Sequence, residues 1–213
     1  MSVIHSLRLR SSNAFLVVGD RPILVDTGSR GDFTRIAAGC AAAGCPVAYH
    51  AADGPLARRG DNGLLRGVGL RGRILAPLLS HVTFQPHDAD VDATEGMRLD
   101  EFGVAASVLH TPGHTPGSIT VVLDSGEAIL GDVLMGGYDG GAIRPTQPHF
   151  HYFADDLATA MRSLDRILAA ADSQLFVGHG GPLRCEDVRR WWASTRKGLL
   201  ASQERPGPHR NGR

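Results

Sequence analysis

The sequence predicts a layered α/β domain with mixed β-sheets. Apolar, β-rich runs alternate with helical runs, which is typical of layered α/β folds. Short polar turns between some of the runs indicate hairpins as well. The chain has 213 residues, of which 42% are hydrophobic, enough for one domain with a sizeable core. We therefore expect a single domain over residues 1–200 and a disordered tail over 201–213.

The first half of the chain contains short apolar runs rich in β-branched residues, which predict strands. These strands are expected at residues 14–18, 23–25 and 46–50. Gly19 and Pro22 lie in the turn that joins the first two strands as a hairpin. A helix over residues 33–43, ended by Gly44, completes a βαβ unit. Residues 55–80, which are rich in Gly, Leu and Arg, have no clean helical period and are expected to be irregular.

The second half of the chain carries longer and clearer patterns. Strands are expected at residues 104–110, 118–123, 128–130 and 174–177. Residues 154–170 place leucines on one face, which predicts an amphipathic helix. Asp155 and Asp156 lie at its start, where the helix dipole favours negative charge. A last helix is expected over residues 186–196.

Composition argues against several classes of partner. The 22 basic and 22 acidic residues cancel, so charge gives no indication of nucleic acid as a partner. The apolar runs fall short of the ~20 residues that span a bilayer, and residues 1–10 do not resemble a secretory signal. The three cysteines form no C-x-x-C pair, which favours a reduced, cytoplasmic setting. The Leu- and Arg-rich residues 64–79 could contact a membrane surface, but a flap over a cleft is the preferred interpretation.

Metal-ligand residue types recur directly after predicted strands. His114 lies between two Gly/Pro turns, Asp132 follows an apolar strand and a glycine, and His179 repeats that pattern. Each residue taken alone could be an ordinary turn residue. Together, two imidazoles and a carboxylate at strand ends form a ligand set suited to zinc or iron.

The motifs around these residues resemble the metallo-β-lactamase superfamily, in its broad hydrolase branch and not its antibiotic-degrading enzymes. The motifs, in family order, are Asp26-Thr27-Gly28, the Thr-Pro-Gly-His-Thr-Pro-Gly-Ser run at 111–118, Gly131-Asp132 and Gly178-His179-Gly180. The resemblance extends from about residue 14 to residue 192.

The resemblance implies an αβ/βα sandwich with a metal site along one edge, between two sheets. It implies that His114 is a ligand of a first metal, that Asp132 is a bridging carboxylate, and that His179 is a ligand of a second metal. Asp26 would support the site from behind the ligands.

One departure from the family pattern is large. The signature His-x-His-x-Asp-His should lie between the helix at 33–43 and the strand at 46–50, but Gly44 runs directly into Cys45 and Pro46. We therefore expect the fold to lack one βα unit after its first helix. His81 and His87 lie in a different segment with different spacing, and we assign them to loops.

The remaining ligands leave two functional hypotheses. One is a hydrolase of a small ester, thioester, lactone or phosphoester that works with a single zinc, manganese or iron ion. The other is a non-catalytic relative that binds a small molecule, or a degenerate one, with no metal if His114, Asp132 and His179 do not converge. Membrane contact is not favoured, and the oligomeric state cannot be read from the sequence.

Further residues are candidates for the lining of the cleft. His50 ends a predicted strand, while Tyr138 and His151 lie in the predicted loop after Asp132. In each case the alternative is an ordinary loop position. Cys45 is interpreted as a small buried side chain and not as a ligand.

Overall fold

The computed structural model describes residues 3–9, 12–26, 46–61, 66–79, 83 and 86–203. Three sequence predictions lie outside these residues: the helix at 33–43, the Gly44–Cys45 junction, and the tail beyond residue 203. His81 lies outside them as well.

The described residues form twelve β-strands and four α-helices. The strands are β1 (Val3–Arg8), β2 (Asn13–Val18), β3 (Ile23–Val25), β4 (Ala48–Tyr49), β5 (Val91–Asp92), β6 (Ala106–His110), β7 (Ile119–Leu123), β8 (Ala128–Gly131), β9 (Leu134–Tyr138), β10 (Ile143–Phe150), β11 (Gln174–Val177) and β12 (Leu183–Arg184). The helices are α1 (Gly54–Arg59), α2 (Gly69–Leu79), α3 (Leu157–Ala170) and α4 (Cys185–Gln203).

A five-stranded sheet in the order β12-β11-β8-β7-β6 is the centre of the fold. Strand β11 runs parallel to β8, and the other neighbours are antiparallel. Helices α3 and α4 cover one face of this sheet. Leu164 of α3 and Trp192 of α4 are buried there in one hydrophobic cluster with Leu130 and Leu175 of the sheet. The second half of the chain thus contains a complete sheet-and-helix layer.

The opposite face of the five-stranded sheet packs on the antiparallel sheet β1-β2-β3. Phe15 and Val17 of β2 share a second buried cluster with Val121, Ile129 and Phe176. The rings of Phe15 and Phe176 meet edge to face, with centroids 5.7 Å apart. Because neighbouring residues of a strand point to opposite faces, the central strands contribute to both clusters. The layered arrangement predicted from the sequence is confirmed.

The segment at residues 55–80 differs from its prediction, because it contains α1 and α2. Helix α1 has Pro55 in its first turn and ends at Gly60, whose left-handed conformation (φ 67°) is typical of a helix C-cap. Helix α2 exposes Leu70 and Ile74, which are 76% and 62% accessible, and it contains Pro77. The helix therefore has no apolar stripe that faces the core. This explains why the apolar periodicity of the sequence did not predict a helix here.

The residues just before helix α2 are hydrogen-bonded to the residues that follow β10. The backbone N–H of Val68 donates to the carbonyl of Tyr152 (2.7 Å), and that of Ala154 donates to the carbonyl of Arg66 (3.0 Å). No helix in the described part of the chain is long and apolar enough to cross a membrane.

The prediction of a loop after Asp132 is also wrong, because β9 and β10 form an antiparallel hairpin there. These strands were not predicted because β9 contains two glycines and β10 contains two prolines, and both residue types are depleted in strands. Gly136 is required by packing: a Cβ atom there would lie 2.0 Å from the carbonyl oxygen of Pro145. The last helix is longer than predicted, because α4 continues to Gln203.

Candidate metal centre

The structure brings the three predicted ligands together around Asp132. His179 Nε2 lies 3.6 Å from Asp132 Oδ1, and His114 Nε2 lies 3.8 Å from Asp132 Oδ2. Each residue stands just beyond a strand of the five-stranded sheet: His114 after β6, Asp132 after β8 and His179 after β11. Two ligands that bind one zinc ion at ~2.0–2.2 Å are at most ~4.4 Å apart. Each histidine is therefore close enough to one oxygen of Asp132 to share an ion with that oxygen.

Glycines allow these strand ends to approach one another. A Cβ atom on Gly178 would lie 2.2 Å from Asp132 Oδ1, so only glycine leaves room for the carboxylate. Gly113 has a φ of 141°, and a Cβ atom there would lie 2.4 Å from the backbone of Ala160 in α3. The glycines beside the ligands are thus required by close packing at the site.

The loop that carries His114 is held by hydrogen bonds from a distant segment. Asp53 accepts a hydrogen bond from Thr115 Oγ1 and another from the backbone N–H of Gly117, both at 2.6 Å. Thr115 and Ser118 are also linked through their hydroxyl groups, at 2.8 Å. His114 therefore projects from a loop that is fixed before any ligand binds.

A fourth residue, His151, joins the cluster. One ligand atom from each of Asp132, His151 and His179 lies within 4.8 Å of the other two. The ring of His151 stacks on that of His179 with centroids 5.2 Å apart, and it meets the ring of His114 edge to face at 4.6 Å. The sequence indicated His151 only as a candidate for lining the cleft. Its position directly after β10 is the signal that could have identified it, but β10 itself was not recognised.

One backbone carbonyl contacts two of the imidazoles. The oxygen of Phe153 lies 2.9 Å from Nδ1 of His114 and 3.2 Å from Nδ1 of His151. A carbonyl oxygen has two lone pairs and can accept from both rings. When Nδ1–H donates in this way, Nε2 carries the lone pair, which is the usual arrangement of a metal-bound histidine.

The electrostatics of the cluster favour the ligand forms of its side chains. Burial lowers the pKa of His151 to about 3, although the carboxylate of Asp132 opposes this shift. Burial works against ionisation of Asp132, but the imidazoles of His151, His179 and His114 outweigh it and lower the pKa of Asp132 to about 2. At neutral pH the cluster therefore offers a neutral His151 and an ionised Asp132, the states in which these residues bind metal.

Asp132 Oδ1 is also an orphaned atom. Among the described residues, it and the Tyr152 hydroxyl are the buried side-chain oxygens with no hydrogen-bond partner. A buried carboxylate oxygen without a partner costs free energy. A cation bound beside Asp132 Oδ1 would remove that cost, so the residues present fit a divalent ion.

The other predicted residues lie around this cluster at varying positions. Asp26 has a left-handed backbone conformation, with a φ of 66°. Its carboxylate lies beside Gly131, the residue before Asp132: a Cβ atom added to Gly131 would be 3.8 Å from Asp26 Oδ2. Tyr138 stacks on His149 with centroids 4.9 Å apart, and the Arg71 guanidinium lies 5.0 Å from the centre of the Tyr138 ring.

His50 occupies a different environment from these residues. It stacks on His110 at 3.8 Å, and its Nδ1 accepts a hydrogen bond from the backbone N–H of Ala52. The supporting role of Asp26 and the cleft-lining roles of His50, Tyr138 and His151 stay predictions.

Comparison with known proteins gives a partial match in sequence. No protein-family model matches the chain. A β-lactamase-like protein 2 homolog of Drosophila melanogaster is 32% identical over 78 residues, which represent 37% of this chain and 23% of the fly protein. The matched segment thus spans less than a quarter of that relative's length.

Solved structures match over almost the whole chain. An archaeal metallo-β-lactamase superfamily protein from Sulfolobus tokodaii has a TM-score of 0.62 at 18% identity, covering 99% of this chain and 91% of that one. A second protein, in a di-iron-bound form, has a TM-score of 0.58 at 23% identity, covering 88% of this chain and 97% of that one. The resemblance seen in the motifs is confirmed at the level of architecture: this chain has the metallo-β-lactamase fold.

Proposed function

We propose that the protein is a metal-dependent hydrolase that works with a single ion on a small molecule. The bond cleaved would be an ester, thioester, lactone or phosphoester. The observation that carries this proposal is that His114 and His179 each lie within 3.8 Å of an oxygen of Asp132, whose Oδ1 is buried without a hydrogen-bond partner. Three protein ligands with one open position are the usual set for catalytic zinc.

The donor types support zinc, and they also suit manganese or iron. One structural neighbour of 23% identity is a di-iron-bound form, which makes iron a reasonable second ion to test. A bound ion would supply a water of lowered pKa and would polarise the carbonyl or phosphoryl oxygen of the substrate. The chain contributes the ionised Asp132 and the orientation of the His114 ring through the Phe153 carbonyl.

A single ion is proposed because of the number of donors. Within the described residues, the cluster at Asp132 is the one group of three or more metal-type side chains whose ligand atoms lie close together. A two-ion centre needs more donors, and the sequence lacks the His-x-His-x-Asp-His motif that would provide them. One ion is therefore what the remaining side chains can hold.

The second candidate function is binding without catalysis. The missing motif supports it, because that motif includes the aspartate which family resemblance associates with the proton of the attacking water. Such a protein would still bind a small molecule in the cleft beside His114 and His179 but would not turn it over.

Turnover measurements separate the two functions. Untagged protein loaded with zinc, manganese or iron is assayed on a panel of esters, thioesters, lactones and phosphodiesters, beside His179→Ala. His87→Ala is the matched control, because His87 lies outside the cluster. We expect turnover that survives in His87→Ala and disappears in His179→Ala. No turnover on any substrate with any of the three ions would refute the hydrolase and favour the binding function.

A further inference from the structure

His151 is placed like a ligand and not like an ordinary loop residue. It follows β10 directly, as His114, Asp132 and His179 follow β6, β8 and β11. Only 9% of its surface is accessible. Buried histidine needs polar partners, and this ring contacts the side chains of the cluster and the backbone of Phe153, besides packing on the rings of Tyr152 and Phe153.

The tightest donor group in the described chain contains His151. The group whose ligand atoms all lie within 4.8 Å of one another consists of Asp132, His151 and His179. His114 approaches the same carboxylate from its other oxygen, Oδ2. Within this group, three donors, the usual number for catalytic zinc, are therefore reached only when His151 is counted.

The two nitrogens of the His151 ring have different environments. Nδ1 lies 3.2 Å from both the carbonyl oxygen and the backbone nitrogen of Phe153, so it donates to the carbonyl in one tautomer and accepts from the N–H in the other; only the first tautomer leaves the lone pair on Nε2. Nε2 is consequently the atom available to the cluster. Donation from Nδ1–H to the Phe153 carbonyl would fix the tautomer and the ring orientation, as backbone carbonyls commonly do for metal-bound histidines.

We propose that His151 is a ligand of the ion held by Asp132 and His179, and that it replaces an imidazole of the absent His-x-His-x-Asp-His motif from a different strand. This inference rests on the metal site of the proposed function but not on catalysis. The competing explanation is a histidine that only packs the loop at residues 151–154. The two explanations differ in whether Nε2 binds metal.

Zinc affinity of an asparagine variant distinguishes them. In His151→Asn, the side-chain amide stands near the position of Nδ1 and can bond the Phe153 backbone, while the Nε2 atom is lost. We expect zinc affinity, measured by competition with a chromophoric chelator, to fall by more than about 100-fold, beyond the 10–100-fold that loss of an outer-shell partner costs. The same substitution at His87, which is outside the cluster, should leave the affinity unchanged. An affinity in His151→Asn within threefold of that of the unsubstituted protein would overturn the proposal.

Nuclear magnetic resonance of the unsubstituted protein tests the same point without depending on the folding of a variant. Zinc is titrated into protein labelled with 15N in its histidine side chains. The Nε2 resonance of His151 should shift together with that of His179, whereas both ring nitrogens of His87 should not. Zinc-induced shifts in His179 without any in His151 would refute this ligand assignment. Zinc binding through His151 in a protein that hydrolyses nothing would refute the proposed function and leave the ligand assignment standing.

Discussion

The described strands of the two halves of the molecule are organised differently. In the C-terminal half, five strands form one sheet, two helices cover it, and the candidate ligands extend from its strand ends. In the N-terminal half, the described strands fall into a three-stranded sheet and a separate pair, β4 and β5. The missing ligand motif belongs between these two sheets in the sequence. Among the described residues, the candidate ligands all come from the C-terminal half.

This difference indicates which elements hold the candidate ligands in place. The positions of Asp132 and His179 depend on β8 and β11, which pair with each other in the C-terminal sheet. The N-terminal half also supports this region, because the side-chain amide of Asn13 in β2 donates to the carbonyls of Val177 and Gly180 on either side of His179, both at 2.8 Å. The N-terminal half therefore helps to hold the loops that carry His179 and His114, through Asn13 and Asp53.

The largest effect on stability is expected from truncating the C-terminal core. Leu164 of α3 is fully buried, so Leu164→Ala should lower the free energy of unfolding by about 2–5 kcal/mol through lost burial and the cavity left behind. The matched change in the N-terminal half, Leu7→Ala on β1, removes a side chain that is 39% exposed and should cost about 1 kcal/mol or less. Urea denaturation measures both. Equal costs would contradict the claim that the core beneath α3 contributes more to stability than the exposed side chains of β1.

Acid should destabilise the metal-free protein through the cluster. Because the pKa of His151 is lowered from 6.5 to about 3, the unfolded chain binds a proton that the folded chain does not between these values. Stability is thus retained above pH 6.5 and is lost as the pH falls towards 3, by about 1.4 kcal/mol for each unit. The lowered pKa of Asp132, about 2, adds a loss only below about pH 4.

Denaturation at pH 7 and at pH 4.5 measures this loss. A decrease on the order of 2 kcal/mol is expected in the unsubstituted protein, and a clearly smaller one in His151→Asn. The same decrease in both proteins would show that His151 is not the group responsible.

The smallest effect concerns the contact between the halves at Asp53. Asp53→Ala removes the acceptor of two hydrogen bonds to the loop that carries His114 and should cost about 1–2 kcal/mol. Asp88→Ala is the control, since Asp88 is 78% exposed in its ion pair with Arg58 and should contribute about 0–1 kcal/mol. Thermal unfolding compares the two variants. A larger loss in Asp88→Ala would argue against a role for Asp53 in holding this loop.

The sequence predicted the C-terminal half well because its patterns are local. The helix at 154–170 has a clear amphipathic period, and α3 begins close to its predicted start, with Asp156 as its N-cap. The candidate ligands His114, Asp132 and His179 were predicted from the sequence because each combines glycine with a ligand type after an apolar strand. Such patterns can be read without knowing which elements pack together.

The features that escaped prediction depend on tertiary contacts. Strand β10 contains Pro145 and Pro148, so its pairing with β9 could be recognised only from the fold. Without that strand, His151 looked like a loop residue and not like a fourth member of the cluster. Helix α2 was missed for a similar reason, since its apolar residues Leu70 and Ile74 face outward and give no core-facing stripe.

The metal content of untagged protein, measured by plasma mass spectrometry beside Asp132→Asn, tests the central claim most directly. Asparagine keeps the shape of the side chain at this position but removes the charge between His114 and His179. The account predicts about one tightly held ion per chain in the unsubstituted protein and none in the variant. No bound ion in the unsubstituted protein, even after incubation with zinc and removal of the excess, would contradict it.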